Sequence, residues 1–302
     1  MSAVLNNKGG MMDGKIFLAT LSLGLFALAC SGIGVSRQAL VEGARLFDGE
    51  FIVAADGIYT FAHYYSHPEN GRKVIMVGMN HGGDKEYFAA IENILRGTEV
   101  VLFEGSISKK IDEEAKKKDA EKIKSDNAHE AFLVSIATYF WEAPRYLELL
   151  RESQAINHRR ENWFVGDAEF FRKFRDKESL RIMNEKFERH FEAYPLERKI
   201  KIVEYLRGAL AKIEQKTFTR RDFGESFVVL WSDPSFVELI LGILGAPRDE
   251  MVFKTFDQLI HEKNPQTIGI KFGAGHMSNQ RRLLEQRGYI HQFSTPLRNL
   301  KF

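Results

Sequence analysis

The sequence predicts an α/β fold: a central mixed β-sheet built from two strand–Gly-x-x-His–helix units, with a large helical insertion between them. Three observations predict it. The first is the apolar run Val74-Ile75-Met76-Val77, which ends in Gly78-Met79-Asn80-His81 and is followed by a helix-like pattern over residues 87–95. The second is the same arrangement near the other end: Ile268-Gly269-Ile270-Lys271-Phe272, then Gly273-Ala274-Gly275-His276, then a helix-like pattern over residues 281–286. The third is Val100-Val101-Leu102-Phe103, a buried-strand pattern closed by Glu104-Gly105. A β-branched run before glycine and a helical period after it reads as strand, turn and helix. The glycines Gly78 and Gly273, with Gly105 and Gly275 beside them, are expected to permit backbone turns that a side chain would obstruct. His81 and His276 are then expected on loops after strands, with Glu104 at a strand's carboxyl end. Ligands of open α/β sheets bind outside the carboxyl ends of strands, so the three side chains are expected to converge. Two imidazoles and a carboxylate suit a divalent transition metal.

At 302 residues, with 44% hydrophobic residues and 24 Phe, the chain can bury a sizeable core. A net charge of +2 lacks the concentrated basic face that nucleic-acid binding requires, so no nucleic-acid partner is expected. The single cysteine, Cys30, excludes an intramolecular disulfide and a cysteine-based zinc finger.

Taken in order, residues 1–30 read as a targeting segment. Lys8 and Lys15 precede an apolar run from Ile16 to Ala29, short for a membrane span and suited to a signal-peptide core. Phe26-Ala27-Leu28-Ala29-Cys30 resembles a bacterial lipoprotein box, with Cys30 as the lipidated residue. The chain is therefore expected to be exported and membrane-anchored at the periplasm or cell surface; an uncleaved N-terminal anchor is the alternative. Residues 31–50 read as a tether with a short helix, and residues 51–302 as one domain whose helical insertion covers about 106–262. Phe51–Ala54 and Ile58–Tyr65, around Asp56-Gly57, form a hairpin signal. His63 is expected to decorate a strand and His67 a turn. Residues 106–127, dense in Lys, Glu and Asp, read as a solvated helix. Phe132, Ile136, Phe140 and Leu147 recur at helical spacing, and Pro144 is expected to kink or break that segment. Trp163-Phe164-Val165 reads as a short strand ending in Gly166-Asp167, from which Asp167 either joins the crevice or caps the next helix. Residues 168–215 read as two helices broken near Pro195. Asp233-Pro234 is a helix start, Gly245-Ala246-Pro247 its end, and Met251 to His261 a further helix.

The paired Gly-x-x-His motifs, the strand ending in Glu104-Gly105, and Gly273-Ala274-Gly275-His276-Met277 with Arg282-Leu283-Leu284-Glu285-Gln286-Arg287-Gly288-Tyr289 resemble the TraB/Tiki (GumN-like) family. That family lies in a wider superfamily with erythromycin esterases and haem-binding ChaN-like lipoproteins. The resemblance covers roughly residues 73–110 and 266–290. It implies a manganese- or cobalt-dependent metalloprotease or another metal-dependent hydrolase, with zinc as a further option. It places the metal on His81, Glu104 and His276. The first motif here is Gly-Met-Asn-His, where the family more often has Gly-Thr-x-His.

Two roles stay open for Glu104: metal ligand, or general base beside a metal held by the histidines. Asp167, Arg159 and Arg160 are supporting candidates, for orienting a histidine or stabilising an oxyanion. The substrate is expected to be a peptide or small molecule. The competing function is a surface lipoprotein that binds haem, metal or a peptide without catalysis. In that reading His81 or His276 is an axial ligand and the Phe/Trp-rich stretch 227–244 lines the slot; core packing is the other role open to that stretch.

Overall fold

Asp56-Gly57 makes the first hairpin, as its turn chemistry dictates. In this computed structural model, which describes residues 43–105, 128–173, 181, 185, 188–238, 241 and 243–302, strands β1 (Ala44–Leu46), β2 (Phe51–Ala54) and β3 (Gly57–Ser66) form an antiparallel meander. Residues 44–50, read with the tether, instead carry β1 and a 3-10 turn, and Glu50 is buried. No side chain fits at Gly57, because a Cβ there would stand 2.1 Å from the carbonyl oxygen of Leu300. The lipidation site proposed at Cys30 and the helix expected over residues 106–127 lie outside the described residues.

The chain then supplies β4 (Lys73–Met79), β5 (Gly82–Gly83), α1 (Lys85–Leu95) and β6 (Val100–Phe103). Next come α2 (Ala128–Tyr146), β7 (Leu150–Arg151), α3 (Glu152–Ala155), β8 (Trp163–Val165) and α4 (Ala168–Lys173). Helices α5 (Leu196–Glu214), α6 (Arg220–Trp231), α7 (Pro234–Val237) and α8 (Ile243–Lys263) follow. The chain closes with β9 (Thr267–Gly273), α9 (Ala274–Glu285) and β10 (Ile290–Lys301).

The main sheet runs β1-β2-β3-β4-β9-β6-β8, and β10 pairs antiparallel with β3. It is mixed: antiparallel up to β3–β4, and parallel through β4–β9, β9–β6 and β6–β8. The parallel strands are covered on both faces, which is why they read as continuous apolar runs rather than alternating ones. Val74, Met76, Val100, Leu102, Ile268, Ile270 and Phe272 pack under α8 and α9. Val77 and Val101 face the other way, onto Tyr87, Phe88, Ile91 and Leu95 of α1. A third core joins α2, α5 and α6 to Leu46, Phe51, Val53 and Ile58.

Two prolines depart from the expectation. Pro144 lies inside α2, which runs two residues beyond it to Tyr146. Pro247 does not end a helix; it lies in the opening turns of α8, which continues to Lys263. A proline forfeits its own backbone bond and crowds the carbonyl four residues back, but with Pro144 two residues from the end of α2 and Pro247 near the start of α8 little of either helix lies beyond the lost bond. Asp233 caps α7 as expected, accepting from the amide of Ser235 at 2.9 Å with Pro234 at the first helical position. Among the described residues no helix is long and apolar enough to cross a membrane.

Candidate functional site

The two Gly-x-x-His stretches sit side by side. Strands β4 and β9 are parallel neighbours, with Gly78 opposite Phe272 and Met79 opposite Gly273. Strand β6 flanks β9 on its other side, and the amide of Glu104 donates to the carbonyl of Lys271 at 3.1 Å. Three strands thus deliver His81, Glu104 and His276 to one sheet edge, and the side chains meet. Nε2 of His81 lies 3.3 Å from Oε2 of Glu104, and Nε2 of His276 lies 3.4 Å from its Oε1.

The glycines act differently from the turn role expected of them. Gly78 is inside β4, and a Cβ there would come within 2.7 Å of the Met277 side chain, so it permits close packing of α9 on the strand. Gly273 has φ −53, open to any residue; it is the N-cap of α9, and its amide donates to Oε2 of Glu104 at 2.8 Å. His276 is consequently not on a loop but in the first turn of α9, two residues after Ala274 and next to Gly275. The amide of Gly105 donates to Oδ1 of Asp167 at 2.8 Å.

Each histidine is held from behind by a carboxylate. Nδ1 of His81 bonds Oε2 of Glu152 at 2.6 Å, and Nδ1 of His276 bonds Oδ1 of Asp249 at 2.8 Å. Asp249 also accepts from Asn279 and Gln280, both at 2.8 Å. Glu152 is shared with Nε2 of His158 at 2.7 Å and with the buried ammonium of Lys271. Arg248 spans the centre. Its Nη1 lies 3.1 Å from Oε1 of Glu104, its Nε donates to Asp167 at 2.9 Å, and its Nη2 makes a second, shorter bond to the same Asp167 oxygen. Asp167 therefore belongs to the crevice.

These neighbours set the charges. Burial alone would push His81 down, but the carboxylates of Glu104 and Glu152 overcome it and raise its pKa to about 9. Burial is likewise outweighed at His276, where Asp249 and then Glu104 raise the pKa to about 10. Burial would raise Glu104, yet Arg248, His81 and His276 hold it well below the usual carboxylate range. Glu152 is held low in the same way, by Lys271, His158 and His81. Asp167 is pushed up, chiefly by burial and further by Glu104, against the pull of Arg248.

The other candidates fall elsewhere. Arg159 is exposed and its amide bonds Asn157 locally. Arg160 pairs with Glu92 at 2.5 Å and lies over Trp163. Arg248 stands where those two arginines were expected to act. His63 and His67 are remote from the site: His63 bonds Glu50 and Ser294, and His67 packs edge-on to Tyr289. Phe227, Val228, Leu230, Trp231 and Phe236, read as a slot or as core, are buried in the helical core.

Among the described residues, no three His, Cys, Asp or Glu side chains already surround one point as a metal ligand set. The donor chemistry nevertheless fits a divalent ion. Both Nε2 atoms face one carboxylate while both Nδ1 atoms are bonded to others, the usual support for metal-bound histidine. With bonds of about 2.0–2.2 Å, neighbouring ligand atoms stand roughly 3.0–3.4 Å apart, close to the two imidazole–carboxylate separations here. The carboxylates around both imidazoles favour their protonated forms, and with the Arg248 guanidinium these offset the Glu104 charge. No family model, curated protein or solved structure matches the chain significantly.

Proposed function

We propose that the chain is a divalent-metal-dependent hydrolase of a peptide or other carbonyl substrate, with His81, Glu104 and His276 as its metal-binding set. The observation that carries this reading is the flanking of one buried carboxylate by two imidazoles, each anchored through Nδ1 by a further carboxylate. Glu152 and Asp249 fix which nitrogen faces Glu104, so Nε2 is the atom presented in both cases. Glu104 is kept ionised by Arg248 and the Gly273 amide, as a ligand or a general base requires. Burial of Glu104 and His276, with His81 half-buried beside them, strengthens the charge interactions among the three. A bound divalent ion supplies Lewis-acid polarisation of the carbonyl and a water of lowered pKa. Metal analysis of protein purified without chelator, with a peptide-cleavage assay in added Mn²⁺ or Co²⁺, tests the reading. His81→Ala and His276→Ala are expected to lose metal. Glu104→Gln separates the two roles: loss of metal marks a ligand, retention of metal with loss of cleavage marks a base. Wild-type metal content and cleavage in all three variants would refute it.

A second reading rests on the two carboxylates that flank each ring, Glu104 and Glu152 at His81 and Glu104 and Asp249 at His276, which favour the protonated imidazoles. Two protonated histidines beside an ionised glutamate make a proton-transfer set that acts without a metal. Hydrolysis insensitive to chelator selects it. The lipoprotein box motivates a location, a bacterial membrane surface with acyl chains on Cys30; intact residues 1–29 on the mature protein would exclude it.

A further inference from the structure

A second polar cluster lies where β3 and β10 pair, away from the crevice. In register, Ser294 stands opposite His63. The Ser294 hydroxyl is 2.7 Å from Nδ1 of His63, and Nε2 of His63 is 2.5 Å from Oε2 of Glu50. His63 and Glu50 are buried, whereas Ser294 is exposed. Arg281 donates to the other oxygen of Glu50 at 2.5 Å and to the Tyr65 hydroxyl at 2.8 Å, which fixes the carboxylate from behind. Nε2 of His291 lies 2.9 Å from the same serine oxygen.

We infer that Ser294, His63 and Glu50 form a second, nucleophilic site that takes small, accessible esters. The roles follow from the bonds. With its proton on Nε2, His63 donates to Glu50 and leaves Nδ1 free to accept the serine proton. Ordinary serine triads put the acid on Nδ1 and the serine on Nε2; here the ring is used the other way round, with the same linear order of hydroxyl, imidazole and carboxylate. A buried base bonded to a buried acid, under an exposed hydroxyl, is what activates serine at neutral pH. With its proton on Nε2, exposed His291 donates to the same oxygen and turns the serine proton toward His63.

The step balances without a co-reactant. The serine oxygen bonds the ester carbonyl carbon, its proton passes to Nδ1 of His63, and the carbon–alkoxide bond breaks as that proton reaches the leaving oxygen. Water then attacks the acyl-serine by the reverse proton path and releases the acid. In the sheet β10 pairs only with β3 among the described residues, and the contacts of Asp84 with its outer side lie at Asn299 and Lys301, so the edge near Ser294 is where backbone N–H groups would serve a developing oxyanion. Half-buried Phe61 and exposed Pro296, opposite each other on the His63 side of the pair, give the acyl group an apolar rest.

The test uses the full chain with p-nitrophenyl acetate and a fluorophosphonate. Wild-type protein is expected to release a burst of nitrophenol approaching one equivalent, to carry the acetyl or phosphonyl mass on the peptide containing Ser294, and to do both in chelator. Ser294→Ala, at an exposed position, should fold normally and lose burst and label at least a hundredfold. His63→Gln should slow labelling while leaving Ser294 in place, and circular dichroism reports whether its fold persists. No label on Ser294 in wild-type protein, or equal labelling in Ser294→Ala, overturns the inference. Because chelator does not enter this chemistry, its failure and failure of the metal reading are separate results.

Discussion

Asp249 holds His276 by Nδ1 at 2.8 Å and leaves Nε2 of that ring 3.4 Å from Glu104. The aspartate comes from the second turn of α8 and the histidine from the first turn of α9, so helix packing sets the angle of the imidazole. Asp249→Asn keeps the size and removes the charge that most raises the His276 pKa. The imidazole should then titrate lower, toward its ordinary range, and metal affinity should fall about 10–100-fold, as it does when such supporting carboxylates are lost. NMR titration of His276 and metal-binding isotherms check the two effects. An unchanged titration would show that Asp249 does not tune the ring.

Stability of the metal-free protein should decline on the alkaline side. The folded-state pKa values of His81 and His276, about 9 and about 10, lie above the ordinary 6.5. Their contribution is fully present below pH 6.5, shrinks above it, and is lost once the pH has risen through both folded values. Glu104 and Glu152 run the opposite way: their contribution is present above the ordinary 4.5 and is lost as the pH falls. Thermal unfolding between pH 4 and 10.5 should peak near pH 5–6.5. A melting temperature that climbs from pH 7 to 10 would contradict the charge assignment.

The same protonation couples to metal uptake. Ligand imidazoles must be neutral, so binding at pH 8 should release about two protons, one from each ring. Calorimetry in buffers of different ionisation enthalpy measures that number directly. Release near zero at pH 8 would mean that the rings are already neutral or are not ligands.

Arg248 bridges two buried carboxylates, Glu104 and Asp167. Arg248→Met should destabilise the fold by about 3–5 kcal/mol, because removing one partner of a buried ion pair strands the other charge. Arg248→Met with Asp167→Asn should recover part of the loss, since the Asp167 charge is then removed and Glu104 keeps its two histidine neighbours. Denaturant unfolding of the single and double variants checks this; equal stability of the two would break the assigned link between Arg248 and Asp167.

The parallel core was legible because strands buried on both faces leave a plain apolar run, as at 74–77, 100–103 and 268–272. The residue ending each run was legible for the same reason: His81, Glu104 and His276 are polar groups just past an apolar strand. Their supports were not. Glu152 and His158 lie close together in sequence, but both are far from His81 and Lys271, and only the sheet brings the four together. Lys271 alone carried a signal, a charge inside an apolar strand whose neighbours are all buried. Arg248 and Asp249 were hidden by Pro247, which reads as a stop but here falls where a helix tolerates it. The Glu50–His63–Ser294 contact depends on pairing across more than 200 residues, which no local pattern encodes.

Gly78 tests whether the first motif's glycine serves packing or turning. Its place in β4 is an ordinary strand position without positive φ, so backbone freedom is not the reason for it. A Cβ there would stand 2.7 Å from Cγ of Met277 and 3.5 Å from Cα of Ala274, in the first turns of the helix that carries His276. Gly78→Ala should therefore cost about 1–3 kcal/mol through overpacking and should displace His276, reducing metal affinity more than its effect on stability alone explains. Met277→Ala removes the obstructing atoms but leaves a cavity, costing about 2–5 kcal/mol by itself. In the double variant the new methyl occupies part of that cavity, so the two losses should sum to clearly more than the measured one. The double-mutant cycle decides: a coupling energy well above about 0.5 kcal/mol supports packing, whereas simple additivity would return the glycine to a backbone role.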